Sequence, residues 1–323
     1  HFQRLALKGL GEDDVARLIE VAAGIDPSPE LVKWVYRQTE GNPLFVTEVV
    51  RLLSEEGELD PDRPGGDLTR VPDGVREVIG RRLSHMPAQV TQCLTVASVI
   101  GHEFGLYELD SLVDLEPEDG LLDVMDQAVL SGVIDEVADY PGRYRFAHIL
   151  TQQALAGELS QTRRTMLHGS IGEALERLYA DDIMPHAAEL ARHFGEAAAL
   201  TGNERQVRYC VLAGEHALAT YAYEEALAHF QRAFEAKTGQ ASPTDAPTST
   251  NPQTTDQALA EILFGLGRSQ RATATFQMQE AWVSLSKAFE YNVQVGDIPQ
   301  VVDVAEHLPV TEHMRTTEML AHA

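Results

Sequence analysis

The sequence predicts a mainly α-helical protein: a helical subdomain, then a winged-helix unit with one small β-hairpin, then an array of helices. Three observations carry this reading. Apolar residues recur at helical spacing over nearly the whole chain. One stretch alone, Val133 to Phe146, switches to strand-like alternation around a turn. The second half repeats a pattern of small and aromatic residues at the spacing of helical repeats.

The elements follow in order. Residues 11–23 place Val15, Leu18, Ile19 and Ala22 on one face, with acids in the first turn where they complement the helix dipole. Asp26-Pro27-Ser28-Pro29 interrupts, and Pro29 suits the first turn of a helix over 30–38. Gly41-Asn42-Pro43 breaks the chain before a helix over 44–56. Leu44, Phe45, Val49 and Leu52 are expected to leave apolar surface there. Residues 58–71 are polar and hold Pro61, Pro64, Gly65 and Gly66, as a linker or exposed loop does.

Pro72 and Pro87 each open a helix, and a third covers 117–131. Val133–Val137 and Tyr144–Phe146 then alternate around Asp139-Tyr140-Pro141-Gly142, a hairpin signal. Three helices and a hairpin describe a winged helix. A helix follows from about His148. Further helices are expected over 163–179, 185–199, 204–220, 223–237, 257–271 and 278–295. Residues 238–256 are rich in Pro and Thr without a large apolar side chain, and read as a flexible insertion. Gly214, Tyr223, Ala226, Phe230 and Ala233 fall at tetratricopeptide spacing, and Leu266-Gly267, Ala281 and Ala288 echo them. The domains drawn are 1–57, 58–158 and 159–323.

Composition narrows function. The 323 residues carry 50 acids and 25 bases, a net charge of −25, so no broad surface suits a phosphate backbone. Residues 58–158 hold 19 acids against 7 bases, the reverse of a DNA-reading winged helix. Cys93 and Cys210 form neither a disulfide framework nor a CxxC site, which fits a cytoplasmic protein. No apolar run is long enough for a membrane span, so no membrane partner is expected. The chain opens on His1, not Met, and reads as a piece of a longer protein.

Of the four lysines, Lys8, Lys33, Lys237 and Lys287, none follows glycine, so the chain holds no P-loop. Val133-Ile134-Asp135-Glu136 superficially resembles a Walker B strand, but its apolar run is short and it lies in the expected hairpin. His186, Glu189 and His193 share a helical face at spacing that a metal site could use, although surface or packing roles suit them better. Arg81-Arg82 and Arg163-Arg164 are doubled basic sites that read as exposed helix faces. No convergent nucleophile, acid and base appear, so no catalytic residue is assigned.

The stretch Thr39-Glu40-Gly41-Asn42-Pro43-Leu44-Phe45-Val46-Thr47-Glu48 resembles the lid of signal-transduction ATPases with numerous domains, of the kind found in LuxR-type transcription regulators and cyclase-linked AAA ATPases. Val71 to Ile79 with Arg81-Arg82-Leu83, Ala97 to Phe104 and Tyr144 to Leu150 are similar to that family's winged helix. Arg163-Arg164 with His168, Glu189-Leu190-Ala191 with His193-Phe194, and Ala222 to Leu227 are similar to the start of its repeats. The order of these pieces along the chain is more specific than any one of them.

The resemblance implies that Gly41, Asn42 and Pro43 bind nucleotide, the proline against adenine, and that His148 meets the ADP phosphates. Read without it, Gly41–Pro43 is a helix break and His148 a buried, hydrogen-bonded histidine. The family's P-loop, Walker B acids and sensor arginine would precede residue 1, and an effector domain would follow residue 323. The implied role is therefore the regulatory and sensor portion of a nucleotide-gated switch that controls transcription or cyclase output. ATP or ADP with Mg would be the cofactor of the longer protein, and this chain would not hydrolyse ATP alone. Its partners would be that P-loop domain, the effector, and a protein or small-molecule inducer on the repeats, with no direct DNA contact. The alternative is a protein-interaction scaffold of helical repeats with no nucleotide function.

Overall fold

The computed structural model describes residues 9–56, 76, 79–80, 83, 86–113, 120–239, 256–273 and 278–308. The protein is mainly α-helical with one small sheet among the described residues, and it divides into two compact units, His1–Leu167 and His168–Ala323. The helix expected after Pro72 falls largely outside the described residues, with Arg76, Ile79, Gly80 and Leu83 helical. The doublet Arg81-Arg82 and the insertion at 240–255 lie outside them.

The first unit opens with three helices. Helix α1 (Glu12–Ala23) carries Glu12, Asp13 and Asp14 in its first turn, buries Val15 and Ile19, and stops at Gly24 in the left-handed region. Helix α2 (Pro29–Thr39) starts where the Ser28 hydroxyl accepts from the Leu31 N–H at 3.2 Å and Pro29 occupies the first turn. It buries Leu31, Val32, Trp34 and Val35. Helix α3 (Pro43–Glu56) packs on α1 and α2 through Val46, Val49, Val50 and Leu53. The expected apolar surface on α3 is thus mostly corrected. Of the four residues expected there, Phe45 and Val49 are in the core, Leu44 is exposed, and the Leu52 side chain lies outside the described residues.

The same unit continues with α4 (Ala88–Ile100), β1 (Glu103–Gly105), α5 (Leu106–Asp110), α6 (Leu121–Leu130), β2 (Ile134–Glu136), β3 (Arg143–Phe146) and α7 (Ile149–Glu158). The strands form an antiparallel sheet in the order β1-β3-β2. Helix, strand, helix, helix, strand, strand, with the last strand central, is the winged-helix order. The hairpin appears as expected, Ile134 opposite Phe146 and Glu136 opposite Tyr144, closed by Gly142 at φ +79°. The sequence reading missed β1, which pairs Phe104 with Tyr144. Three residues are too few to show an alternation. Tyr144 and Phe146 turn inward and meet Phe104 at ring-centroid distances of 6.0 and 5.7 Å, while Asp135 and Glu136 face solvent as part of the wing.

Helix α8 (Gln161–Leu178) spans the division between the units. The second unit continues with a single 3-10 turn at Met184–His186, α9 (Ala187–Thr201), α10 (Glu204–Ala219), α11 (Tyr223–Thr238), α12 (Gln257–Thr273), α13 (Met278–Val295) and α14 (Ile298–His307). From α9 onward each helix packs on the next. Helix α14 has no counterpart in the sequence reading. Glycines set the closest approaches. A Cβ at Gly214 would lie 2.6 Å from the Phe230 ring, and one at Gly265 would lie 2.2 Å from the same ring. Phe230 of α11 is thereby held between α10 and α12.

The ends of the stretch read as an insertion are tied down. Thr238 is the last residue of α11 and Gly239 its left-handed cap. Asp256 bonds Lys237 at 2.6 Å, and its Oδ1 accepts from the Leu259 N–H at the start of α12. Burial pushes the Asp256 carboxyl up, but Lys237 and the Leu259 N–H outweigh it and hold the group below its ordinary value.

Candidate functional site

The segment Glu40-Gly41-Asn42-Pro43 joins α2 to α3. Glu40 ends α2 in the left-handed region at φ 49°, its N–H donating to Tyr36 O at 2.7 Å. Gly41 follows at φ 70°. Its carbonyl accepts from the Leu10 N–H at 2.8 Å, and a Cβ at Gly41 would stand 2.1 Å from the Leu10 carbonyl oxygen. Glycine is required here for both reasons: the positive φ and the close passage of another strand of backbone.

Asn42 starts α3. Its Oδ1 accepts from the Leu44 N–H at 3.1 Å and the Phe45 N–H at 3.5 Å, so it caps the helix while Pro43 fills the first helical position. Pro43 and Leu44 stay exposed. The side chain of Asn42 is occupied with the cap, and the outward face of the segment is the proline ring.

His148 stands where β3 gives way to α7. Ala147 N–H donates to Val133 O at 2.9 Å, closing the sheet, and His148 O accepts from the Thr151 N–H at 3.0 Å, opening the helix. The structure brings this histidine to the 40–45 segment. Its Nδ1 lies 3.5 Å from Glu40 Oε2, and its ring meets the buried Phe45 ring edge-on at 5.1 Å. The 3.5 Å approach is an ion-pair distance without hydrogen-bond geometry. This Nδ1 is buried, and among the described residues no hydrogen bond reaches it. Its place at the N-terminal end of α7, which carries no side-chain cap, adds the positive end of the helix dipole.

Residues 11–57 match the model of a domain of unknown function (DUF8739). No curated protein matches the chain. The matched stretch takes in α1, α2 and α3 with Gly41, Asn42 and Pro43, and it ends where the sequence reading ended its first domain.

All four sequence-chosen residues thus belong to one neighbourhood, although nothing in the pattern showed that Glu40 and Phe45 would be the groups facing His148. The metal reading of His186, Glu189 and His193 gains nothing: among the described residues no group of three or more His, Cys, Asp or Glu side chains is placed to hold a metal. His186 stacks on Tyr179 at 3.4 Å. His193 is fully buried, with its Nδ1 2.9 Å from His168 Nδ1 and its Nε2 2.7 Å from Arg192. Arginine only donates, so His193 Nε2 accepts, His193 carries its proton on Nδ1, and His168 Nδ1 accepts in turn. That pair pins α8 to α9, and the sequence showed each histidine but not the pairing. Arg163 and Arg164 are exposed. Burial pushes the Cys93 and Cys210 thiols up to about 11, so neither is poised as a nucleophile.

Proposed function

We propose that the chain is the lid, winged-helix and sensor portion of a nucleotide-gated signalling ATPase, whose helical array is of tetratricopeptide type. One observation carries this reading: His148, from the end of the winged helix, turns a buried imidazole nitrogen, without a hydrogen bond among the described residues, toward the Glu40–Pro43 turn. An oxygen of Glu40 sits 3.5 Å away at the position an anionic ligand oxygen would take. A phosphate oxygen exchanged for that carboxylate would keep the charge and gain the helix end of α7. Pro43 offers a rigid apolar face for a flat ring, and Gly41 lets backbone come close. Glu40 is half-exposed and has room to swing aside.

In this reading the residues that cradle phosphate and hold Mg stand on chain ahead of residue 1, and the turn and His148 supply the closing side. The protein then switches by binding nucleotide more tightly in the closed state than in the open one. The gene upstream of His1 is expected to encode Gly-x4-Gly-Lys-Ser/Thr, and the longer product to bind a fluorescent ADP. His148→Ala is expected to weaken ADP retention by about tenfold, the loss of one charge-assisted bond, and to raise basal output. An upstream frame without that motif, or unchanged ADP release from a folded His148→Ala protein, would overturn the reading.

A further inference from the structure

The second unit holds a cavity of about 270 Å3 between α12, α13 and the start of α14. Its walls include Glu261, Phe264, Tyr291, Asn292, Asp297 and Gln300, and among the described residues none that lines it is Lys, Arg or His. Among the described residues, two carboxylates therefore face a space with no basic side chain in its walls.

The hydrogen-bond inventory decides what the space can accept. The start of α14 would ordinarily offer N–H donors to an anion. Here they are spent. Ile298 N–H donates to Gly296 O at 3.1 Å, Pro299 has no N–H, Gln300 N–H donates to Asp297 Oδ1 at 3.2 Å, and Val301 N–H donates to Asp297 O at 2.9 Å. Asn292 directs a donor to Ala288 O at 2.9 Å, and Gln257 directs one to Glu261 Oε1 at 3.0 Å. Each carboxylate has one oxygen engaged in these bonds and a second that remains an acceptor. Arg268 covers one face of Phe264 at 4.4 Å, and Tyr291 is a second aromatic residue lining the cavity.

We propose that this cavity binds a small organic ammonium ion, with Glu261 and Asp297 as its counter-charges and Tyr291 as its aromatic wall. Such a ligand brings donors and positive charge to the carboxylate oxygens of Glu261 and Asp297, and charge to a π face. The volume suits a compound of roughly ten heavy atoms or fewer, near the lower end of ligand cavities. The site lies wholly within the helical array and uses neither the Gly41–Pro43 turn nor His148, so it stands or falls apart from the nucleotide reading.

Benzylammonium and benzoate have the same ring and opposite charge, and they are the probes. Calorimetric titration of the full chain at about 0.15 M NaCl, where diffuse attraction to an acidic surface is screened, is expected to show saturable benzylammonium binding. Benzoate is expected to show none. Glu261→Gln combined with Asp297→Asn is expected to lower benzylammonium affinity at least tenfold with unchanged thermal melting, because Asn still caps α14. Tyr291→Leu is expected to weaken binding by a smaller factor. The proposal is overturned by no saturation below about 10 mM benzylammonium, weaker than a compact ligand of this size should bind. It is equally overturned by equal binding to the double variant, or by competition from benzoate.

Discussion

At the scale of single residues, Gly24 and Gly41 separate two costs that glycine avoids. Both have φ +70°. Among the described residues a Cβ at Gly24 would meet nothing within 4 Å, whereas at Gly41 it would stand 2.1 Å from Leu10 O and 2.8 Å from Leu10 N. Gly24→Ala therefore carries only the left-handed backbone penalty, about 1–2 kcal/mol. Gly41→Ala carries that penalty and must also push the Leu10 strand away, with loss of the Leu10 N–H to Gly41 O bond, for a further ~1–3 kcal/mol. Urea unfolding followed by Trp34 fluorescence in a Trp282→Phe background reads this directly, since Trp34 is buried in α2. Equal midpoints for the two variants would mean that the Leu10 contact holds nothing. The glycine of the Gly-Asn-Pro break was legible in the sequence because a helix stop leaves a local signature. Its partner Leu10 was not, because the close approach is made by chain far along the sequence whose own residues show no pattern.

At the scale of elements, the helical array is organised by large apolar side chains, most of them aromatic rings, set against glycines. Gly172 faces Phe194, Gly267 faces Leu285, and Phe230 takes Gly214 on one side and Gly265 on the other. Alanine is the better helix former by about 1 kcal/mol. Gly265→Ala is nevertheless expected to destabilise the second unit by about 1–3 kcal/mol, because its methyl would overlap the Phe230 ring. Gly157→Ala in α7, where a Cβ meets nothing within 4 Å among the described residues, is the opposite case and is expected to stabilise by about 0.5–1 kcal/mol. Thermal unfolding of the two variants checks both signs, and a Gly265→Ala protein as stable as the parent would refute the packing argument. The spacing Gly214, Ala226, Phe230, Ala233 was readable because neighbouring helices repeat it. Gly265 was not, since its contact crosses the low-complexity stretch that puts α11 and α12 out of register in the sequence. Helix limits were readable to within a few residues wherever a cap marked them, as at Ser28 and Gly24. Strand β1 and helix α5 are too short to carry a period, and only pairing with β3 reveals the strand.

At the scale of the whole molecule, charge is the dominant property, and composition alone displays it. With 50 acids and 25 bases, half of the acids have no basic counterpart even if every base is paired. Several of the ion pairs that do form join partners that are both about half exposed, such as Arg205–Glu173 and Arg143–Glu103, and such pairs contribute little. Net repulsion among the acids therefore works against each compact unit, and salt should relieve it. The two cysteines give each unit its own reporter: Cys93 is buried in α4 of the first, Cys210 in α10 of the second. Their burial and raised thiol pKa values leave them protected until the surrounding helices open, so alkylation measures opening. Iodoacetamide is neutral and is not itself repelled by an acidic surface. In single-cysteine forms, raising NaCl from roughly 0.01 to 0.3 M shortens the screening length from about 30 Å to well under 10 Å. Labelling of both thiols is then expected to slow several-fold, since about 1 kcal/mol of added stability lowers the open population about fivefold. Labelling that quickens with salt would mean that attractive pairs, and not the surplus of acids, decide the stability of that unit. Slowing confined to one cysteine would assign the surplus to the unit that carries it.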